Sequence, residues 1–456
     1  MKPPSQPQKC DEAVREWPTP TMAWYGVVIL MCATIVAILD RQILSLMVDP
    51  IQQTLGLSDV EISVLQGPAF MIFYTLLGFP IGWLIDRTKR LRLIAIGVVV
   101  WTVGTVGCGL ATSYEYMLVT RAIVGMGEAV VGPGAISLIA DYFSPSRRAL
   151  AVSVHGTAAM FGTGLALLGG GVLLSLATQI EPMIIQGLPP IAGWRFVFIA
   201  SALPGFFVAF LALTASEPPR NHARAQQIPT EKLSAFLLVA RSWILPHFSA
   251  VCLVAIMSYA YMSWLPSYLI RSFRWDPASV GLLTGFQFLL LGPSGVMAGG
   301  MLVRFRQRAG HSDAAVRVLR LASLLLALCL GALALPWPSE AVLLPVGATI
   351  FFISMVPTVS ILAIQQATPN EFRGRLSAIY LIITNLIGYS AGPMVTAAFT
   401  QYLFAQADQI GYSLALIGVL AGPTAAVLFS IARPRYARLI GTSETELSSG
   451  NAETSG

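Results

Sequence analysis

The stretch WYGVVILMCATIVAILDRQILSLMV, residues 24–48, decides the fold class. It exceeds the roughly 20 apolar residues that cross about 30 Å of hydrocarbon, and its only charges are Asp40 and Arg41. Lipid offers no partner to backbone polar groups, so such a run must be helical. The two-residue alternation of a membrane barrel strand is absent from it.

Similar runs follow at 62–85, 93–111, 117–140, 149–174 and 195–215, and again at 244–270, 279–303, 318–335, 341–366, 376–401 and 411–432. The chain therefore divides into an N-terminal tail (1–23), six spans (24–215), a linker (216–243), six further spans (244–432) and a C-terminal tail (433–456). The two halves echo each other. Ser144-Pro145-Ser146-Arg147-Arg148 and Thr368-Pro369-Asn370-Glu371-Phe372-Arg373 stand about half a chain apart, each before a glycine-bearing span. The expected fold is an all-α membrane protein with twelve transmembrane helices in two pseudo-symmetric six-helix bundles.

Composition agrees. Of 456 residues, 55% are hydrophobic and 11% charged, against about a quarter charged in a soluble domain, which excludes a water-soluble protein. The prolines and acids of the N-terminal tail do not read as a signal peptide, so the first span is expected to stay. The scattered cysteines form no CxxC spacing and suggest neither a disulfide frame nor a metal site. Basic residues resist translocation. They crowd the tails and even-numbered loops, as in Arg87, Lys89, Arg90 and Arg92 or Arg433, Arg435 and Arg438, whereas the odd-numbered loops hold only Arg195, Arg271 and Arg274. Both termini are expected in the cytoplasm, and the net charge of +6 is assigned to loops facing anionic lipid rather than to nucleic acid.

Four charges, Asp40, Arg41, Arg121 and Glu128, fall well inside spans, all on spans one and four. At that depth each costs on the order of 3 kcal/mol unless paired or wet, which marks it as functional. Arg121 and Glu128 share a helix face two turns apart, roughly 10 Å along the axis. Pairing across helices is therefore expected, Asp40 with Arg121 and Arg41 with Glu128. A carboxylate pairs with arginine only while ionised, so proton uptake breaks a pair and biases the conformation. Asp40 and Glu128 are read as proton-coupling acids that titrate as a group, and Arg41 and Arg121 as their partners and candidate anion binders. The alternative is a permanently ionised clasp, although buried ion pairs stabilise poorly compared with apolar packing.

Gly82-Trp83-Leu84-Ile85-Asp86-Arg87-Thr88-Lys89-Arg90 closes span two. Gly82 permits close helix approach, Asp86 ends the helix, and Arg87 and Arg90 can bond neighbouring helix ends, which makes a gate at the cytoplasmic side. His155, Tyr259, Tyr261, Trp264, Tyr380, Asn385 and Tyr389 are candidates for a substrate cavity, with packing as the alternative for each. The scattered histidines supply no catalytic set, so an enzyme is not expected.

The Gly82–Arg90 stretch resembles the signature of the major facilitator superfamily, Gly-x-x-x-Asp-Arg-x-Gly-Arg, with Lys89 in place of the second glycine. Arg121 with Gly125 and Gly127 resembles its signature on helix four. Gly300-Met301-Leu302-Val303-Arg304 departs from the pattern, since Arg304 stands where an acid is usual, and no matching latch is expected there. Within the superfamily, Leu39-Asp40-Arg41-Gln42, Leu65-Gln66-Gly67-Pro68-Ala69-Phe70 and Asp141-Tyr142-Phe143 resemble the spinster-type branch, which includes lysolipid and sphingosine-phosphate carriers.

The resemblance implies a monomeric, proton-coupled secondary transporter of a bacterial inner membrane that works by alternating access. Its implied cargo is an amphipathic anion such as a lysophospholipid or sphingolipid-like molecule. The proton gradient drives it, with no cofactor and no metal, and its partners are the substrate, protons and membrane lipids. A small organic or sugar acid is the alternative cargo. A non-transporting receptor or channel is the alternative class.

Overall fold

The computed structural model describes residues 17–180, 193–220 and 230–453. Most of the N-terminal tail, residues 221–229 of the linker and the last three residues of the C-terminal tail lie outside them. Twelve helices among the described residues are long and apolar enough to span a membrane: α1 Pro20–Leu46, α2 Asp59–Ile85, α3 Arg90–Gly109, α4 Tyr114–Tyr142, α5 Pro145–Ala177, α6 Gly193–Thr214, α7 Ala235–Phe273, α8 Pro277–Arg308, α9 Ala314–Ala332, α10 Leu343–Ala367, α11 Asn370–Phe404 and α12 Ile410–Ile440. The helix containing α7 begins at Thr230, and the one containing α12 runs on to Glu453. The expected linker and C-terminal tail are thus partly helical.

Local chemistry sets several helix starts. Thr19 caps α1, whose first residue is Pro20, and Ser58 with Glu61 forms a reciprocal capping box at α2, satisfying backbone donors that have no partner inside the helix. Asp276 accepts from the Ser279 amide at 2.9 Å before Pro277 opens α8. A short helix, Val48–Leu55, links α1 to α2.

The same packing scheme occurs twice. α1 packs on α5, α2 on α4 and α3 on α6, and correspondingly α7 packs on α11, α8 on α10 and α9 on α12. Between the halves α5 crosses α8, with α2 beside α11. Small residues make the α5–α8 crossing close: a Cβ on Gly171 would lie 2.8 Å from the Ala278 carbonyl oxygen and 3.2 Å from the Gly281 Cα, so dispersion contacts replace the missing hydrophobic drive between lipid-solvated helices. Burial is uneven. The apolar window of α4 is 67% buried and that of α2 22%, so the helix carrying Arg121 and Glu128 is central.

Candidate functional site

Two of the first-half helices are broken where the charges sit. Pro133 has no amide proton for the carbonyl four residues back, and α4 is interrupted directly after Glu128, between segments Tyr114–Glu128 and Val131–Tyr142. Pro68 does the same to α2, which splits into Asp59–Gln66 and Pro68–Ile85 around Gly67. Both interruptions place polar backbone beside the charge cluster, where non-helical backbone in a membrane protein is tolerated.

Asp40, Arg121 and Glu128 are each 1% exposed. Arg41 reaches Glu128 as expected: its Nε donates to Oε2 at 2.6 Å and its Nη2 bonds the same oxygen. The expected Asp40–Arg121 pair is not formed. Asp40 Oδ2 accepts instead from Thr105 Oγ1 at 3.0 Å, and Arg121 Nε donates to the Leu65 carbonyl at 3.1 Å. The broken helix offers a carbonyl that the arginine fork reaches, which the sequence pattern alone did not reveal. Asp40 Oδ1, Glu128 Oε1 and Arg121 Nη2 are buried without hydrogen-bond partners. Each such atom costs about 1–3 kcal/mol, an expense hard to explain for a purely structural clasp.

Neighbouring residues on α1 face different surroundings. Asp40 is sealed against α3, whereas Arg41 lines a cavity of about 360 Å³ between the two halves. The arginine's guanidinium carbon lies 4.6, 5.2 and 5.9 Å from the ring centres of Phe70, Tyr74 and Tyr389, within cation–π range. Of the expected cavity residues, Tyr259, Tyr380, Asn385 and Tyr389 line it. Tyr259 donates to Asn385 Oδ1 at 2.9 Å, and its ring lies 3.9 Å from that of Tyr389. His155, Tyr261 and Trp264 are elsewhere: His155 hydrogen-bonds Thr34 at 3.2 Å, and the fully buried Tyr261 and Trp264 donate to the Val346 carbonyl at 2.8 Å and the Pro393 carbonyl at 3.0 Å. Gln42, Thr163, Ser258, Ser354 and Thr384 also face the cavity. Gln42 was within reach of sequence reasoning, since it continues the polar triplet Asp40-Arg41-Gln42.

The Gly82–Arg90 stretch ends α2 with Asp86 as C-cap. Arg90 is 2% exposed and joins three elements: it bonds Asp141 at the end of α4, Ser137, and Glu217 after α6, the last through both its amide (2.9 Å) and its Nε (3.1 Å). Arg220 caps the end of α2 through the carbonyls of Ile85, Asp86 and Thr88. Arg87 instead stacks on Trp83 at 3.9 Å, and a Cβ on Gly82 would meet nothing within 4 Å. The stretch thus staples the first half together at the end of the molecule where α1 begins, and Gly82 makes no close approach there.

At the opposite end, polar bonds join the halves. Arg271 on α7 donates to Asp49 at 2.6 Å, to Gln52 at 2.6 Å and to Asp59 at 3.1 Å. Nearby, Gln401 accepts from the Val60 amide at 3.2 Å, and Gln66 donates to the Ser263 carbonyl at 3.1 Å. This end is closed.

Comparison with known proteins gives a consistent picture. Residues 30–393 match the family model of the Major Facilitator Superfamily. The chain is 26% identical over 429 residues to an MFS-type efflux pump of Mycolicibacterium smegmatis, covering 92% of this chain and 94% of that protein. It is 24% identical to a probable L-galactonate transporter of Escherichia coli, over 62% of each chain. It is likewise 24% identical to protein spinster of Drosophila melanogaster, over 62% of this chain and 46% of that protein. The fold is similar to that of a bacterial homolog of the human lysosomal transporter Spinster, solved in an inward-facing, unoccupied conformation, with a TM-score of 0.74 at 23% identity, covering 93% of this chain and 98% of that one.

Proposed function

The chain belongs to the major facilitator superfamily, and from that premise we propose that it is a proton-coupled secondary transporter moving an amphipathic organic anion, such as a lysophospholipid or sphingolipid-like molecule, by alternating access. The observation that carries this reading is Arg41, which faces the cavity between the halves while its guanidinium is bonded to Glu128.

An anion entering the cavity competes with Glu128 for that guanidinium. A proton on Glu128 removes the competitor, so proton and anion favour each other's binding, and the linkage is reciprocal. Asp40, which has no ionic partner among the described residues, shares the titration with Glu128 as one group. The rings of Phe70, Tyr74 and Tyr389 around the cation suit a ligand whose charged head joins an apolar body. In this reading both termini lie in the cytoplasm of a bacterial inner membrane, supported by the skew of basic residues, and the closed end bearing Arg271 faces the periplasm.

A second reading, transport of a small sugar acid, draws on two observations. The cavity is about 360 Å³, at the low end for ligand sites, and Ser258, Ser354, Thr163, Thr384 and Asn385 offer it hydroxyl and amide groups. Relatives bear the names of galactonate and glucarate transporters.

The test is uptake into proteoliposomes, with and without a proton gradient, comparing a labelled lysophospholipid with labelled galactonate. Asp40→Asn and Glu128→Gln should lose gradient-driven accumulation while keeping counterflow. Unchanged pH dependence in both would remove the coupling assignment, and absence of counterflow for every cargo would remove the carrier reading.

A further inference from the structure

The interruption of α2 at Gly67 touches the charge cluster, the cavity and the opposite half at once. Pro68 cannot donate to the Val64 carbonyl, and the Phe70 and Met71 amides both bond the Gly67 carbonyl, at 3.2 and 2.9 Å. The Val64 and Gln66 carbonyls thereby lose their usual helical donors, and the one between them, at Leu65, accepts from Arg121 Nε at 3.1 Å. One residue on, Gln66 donates to the Ser263 carbonyl of the second half at 3.1 Å. At Gly67 a Cβ would lie 2.1 Å from the Tyr389 carbonyl oxygen of α11. That approach is impossible for any side chain, and the obstacle is backbone.

The segment is equally confined on its other side. A Cβ on Gly125 of α4 would lie 2.3 Å from the Phe70 carbonyl oxygen. The Phe70 ring, 0% exposed, lies 4.6 Å from the Arg41 guanidinium and 5.5 Å from that of Arg121. Residues 65–70 are therefore wedged between α4, which carries Arg121 and Glu128, and α11, which carries Tyr389. A shift of Arg121 has to move the Leu65 carbonyl or abandon it, and a shift of the segment has to move the Gly67 contact with the other half.

We infer that this interruption is the transmission element of the transporter: Arg121 acts on the alternation by holding the Leu65 carbonyl, and Gly67 acts by admitting the Tyr389 carbonyl that closes the halves. Both are positioning residues and neither touches the cargo. The inference rests on the alternating-access reading above but is independent of proton coupling and of cargo identity.

Double electron–electron resonance tests it without substrate or gradient. Spin labels are placed at Gln53→Cys and Asp408→Cys, two exposed positions on the closed end, in a protein whose native cysteines are replaced by alanine, in lipid nanodiscs. The wild-type background should show a short and a long separation, the short one being the closed state. Gly67→Ala and Arg121→Gln should each lower the short-to-long ratio at least tenfold. The double variant should fall no further than the stronger single one, because both act through one segment. Additive losses, or an unchanged ratio in either single variant, overturn the inference.

Gln66→Leu keeps the volume and removes the bond to Ser263. It should lower the ratio about threefold, the effect of one neutral hydrogen bond, so the inference stays testable if Gly67→Ala does not fold, and an unchanged ratio overturns it. If the carrier reading itself were at fault, the wild-type background would show one separation and no counterflow. If only this inference were at fault, the wild-type background would alternate and the variants would keep its ratio.

Discussion

The two halves repeat one packing scheme and divide the chemistry between them. In the first half Asp40, Arg41, Arg121 and Glu128 sit deep between helices, three of them almost fully buried. The corresponding depth of the second half offers the cavity aromatic rings, hydroxyls and one amide, and its buried imidazole, His247, is 0% exposed among Trp243, Phe248 and Phe429. One half holds the buried charges, the other lines the cavity with rings and hydroxyls.

The ends of the halves show a different relation. The first staples the start of α3 to the chain after α6 with Arg90 and Glu217. The second staples the start of α9 to α12 with Asp313, which accepts from Arg317 at 2.6 Å and from Arg433 at 2.5 Å. Equivalent places are tied by the same kind of bond with the charges exchanged. No acid stands at Arg304. The charge that ties this end of the second half is Asp313, the residue preceding α9.

The largest test of this division is Arg41→Gln. Losing a charge-assisted bond of about 1.5–3 kcal/mol should weaken anion binding by roughly ten- to a hundredfold, read by calorimetry on the purified protein. Unchanged affinity would move anion recognition out of the first half. Tyr259→Phe should have a smaller effect, about fivefold in KM for the loss of one neutral hydrogen bond to Asn385, with the gradient response intact. A change in pH dependence there would blur the line between charged half and wall.

Asp313→Asn should cost about 1–2 kcal/mol of stability and show the sign of its linkage. Burial pushes the Asp313 carboxyl up, but the bonds from Arg317 and Arg433 outweigh it and hold it below its ordinary 3.8. The stabilisation is therefore complete above that value and lost as pH falls through the lower folded value. Melting curves in detergent between pH 2 and 6 should show an acid limb in the wild type that is flatter in the variant. The smallest expected effect is that of His247→Leu, which should leave transport and its pH profile unchanged. A flattened profile would place a titrating group in the second half and break the comparison.

Much of this protein was legible in its sequence. Hydrocarbon thickness fixes the length of an apolar run, and lipid forbids unpaired backbone, so twelve helices in two halves follow from hydropathy alone. The cost of charge in hydrocarbon likewise singled out Asp40, Arg41, Arg121 and Glu128. What hydropathy does not carry is direction around a helix axis and the consequence of a proline for its neighbours. Only the tertiary structure decided that Arg121 holds the Leu65 carbonyl instead of Asp40, that Trp264 and His155 pack while Tyr389 faces the cavity, and that Asp313 ties α9 to α12. Those choices depend on which side chains and carbonyls meet across helices 56 to 129 residues apart, and no local pattern encodes that meeting.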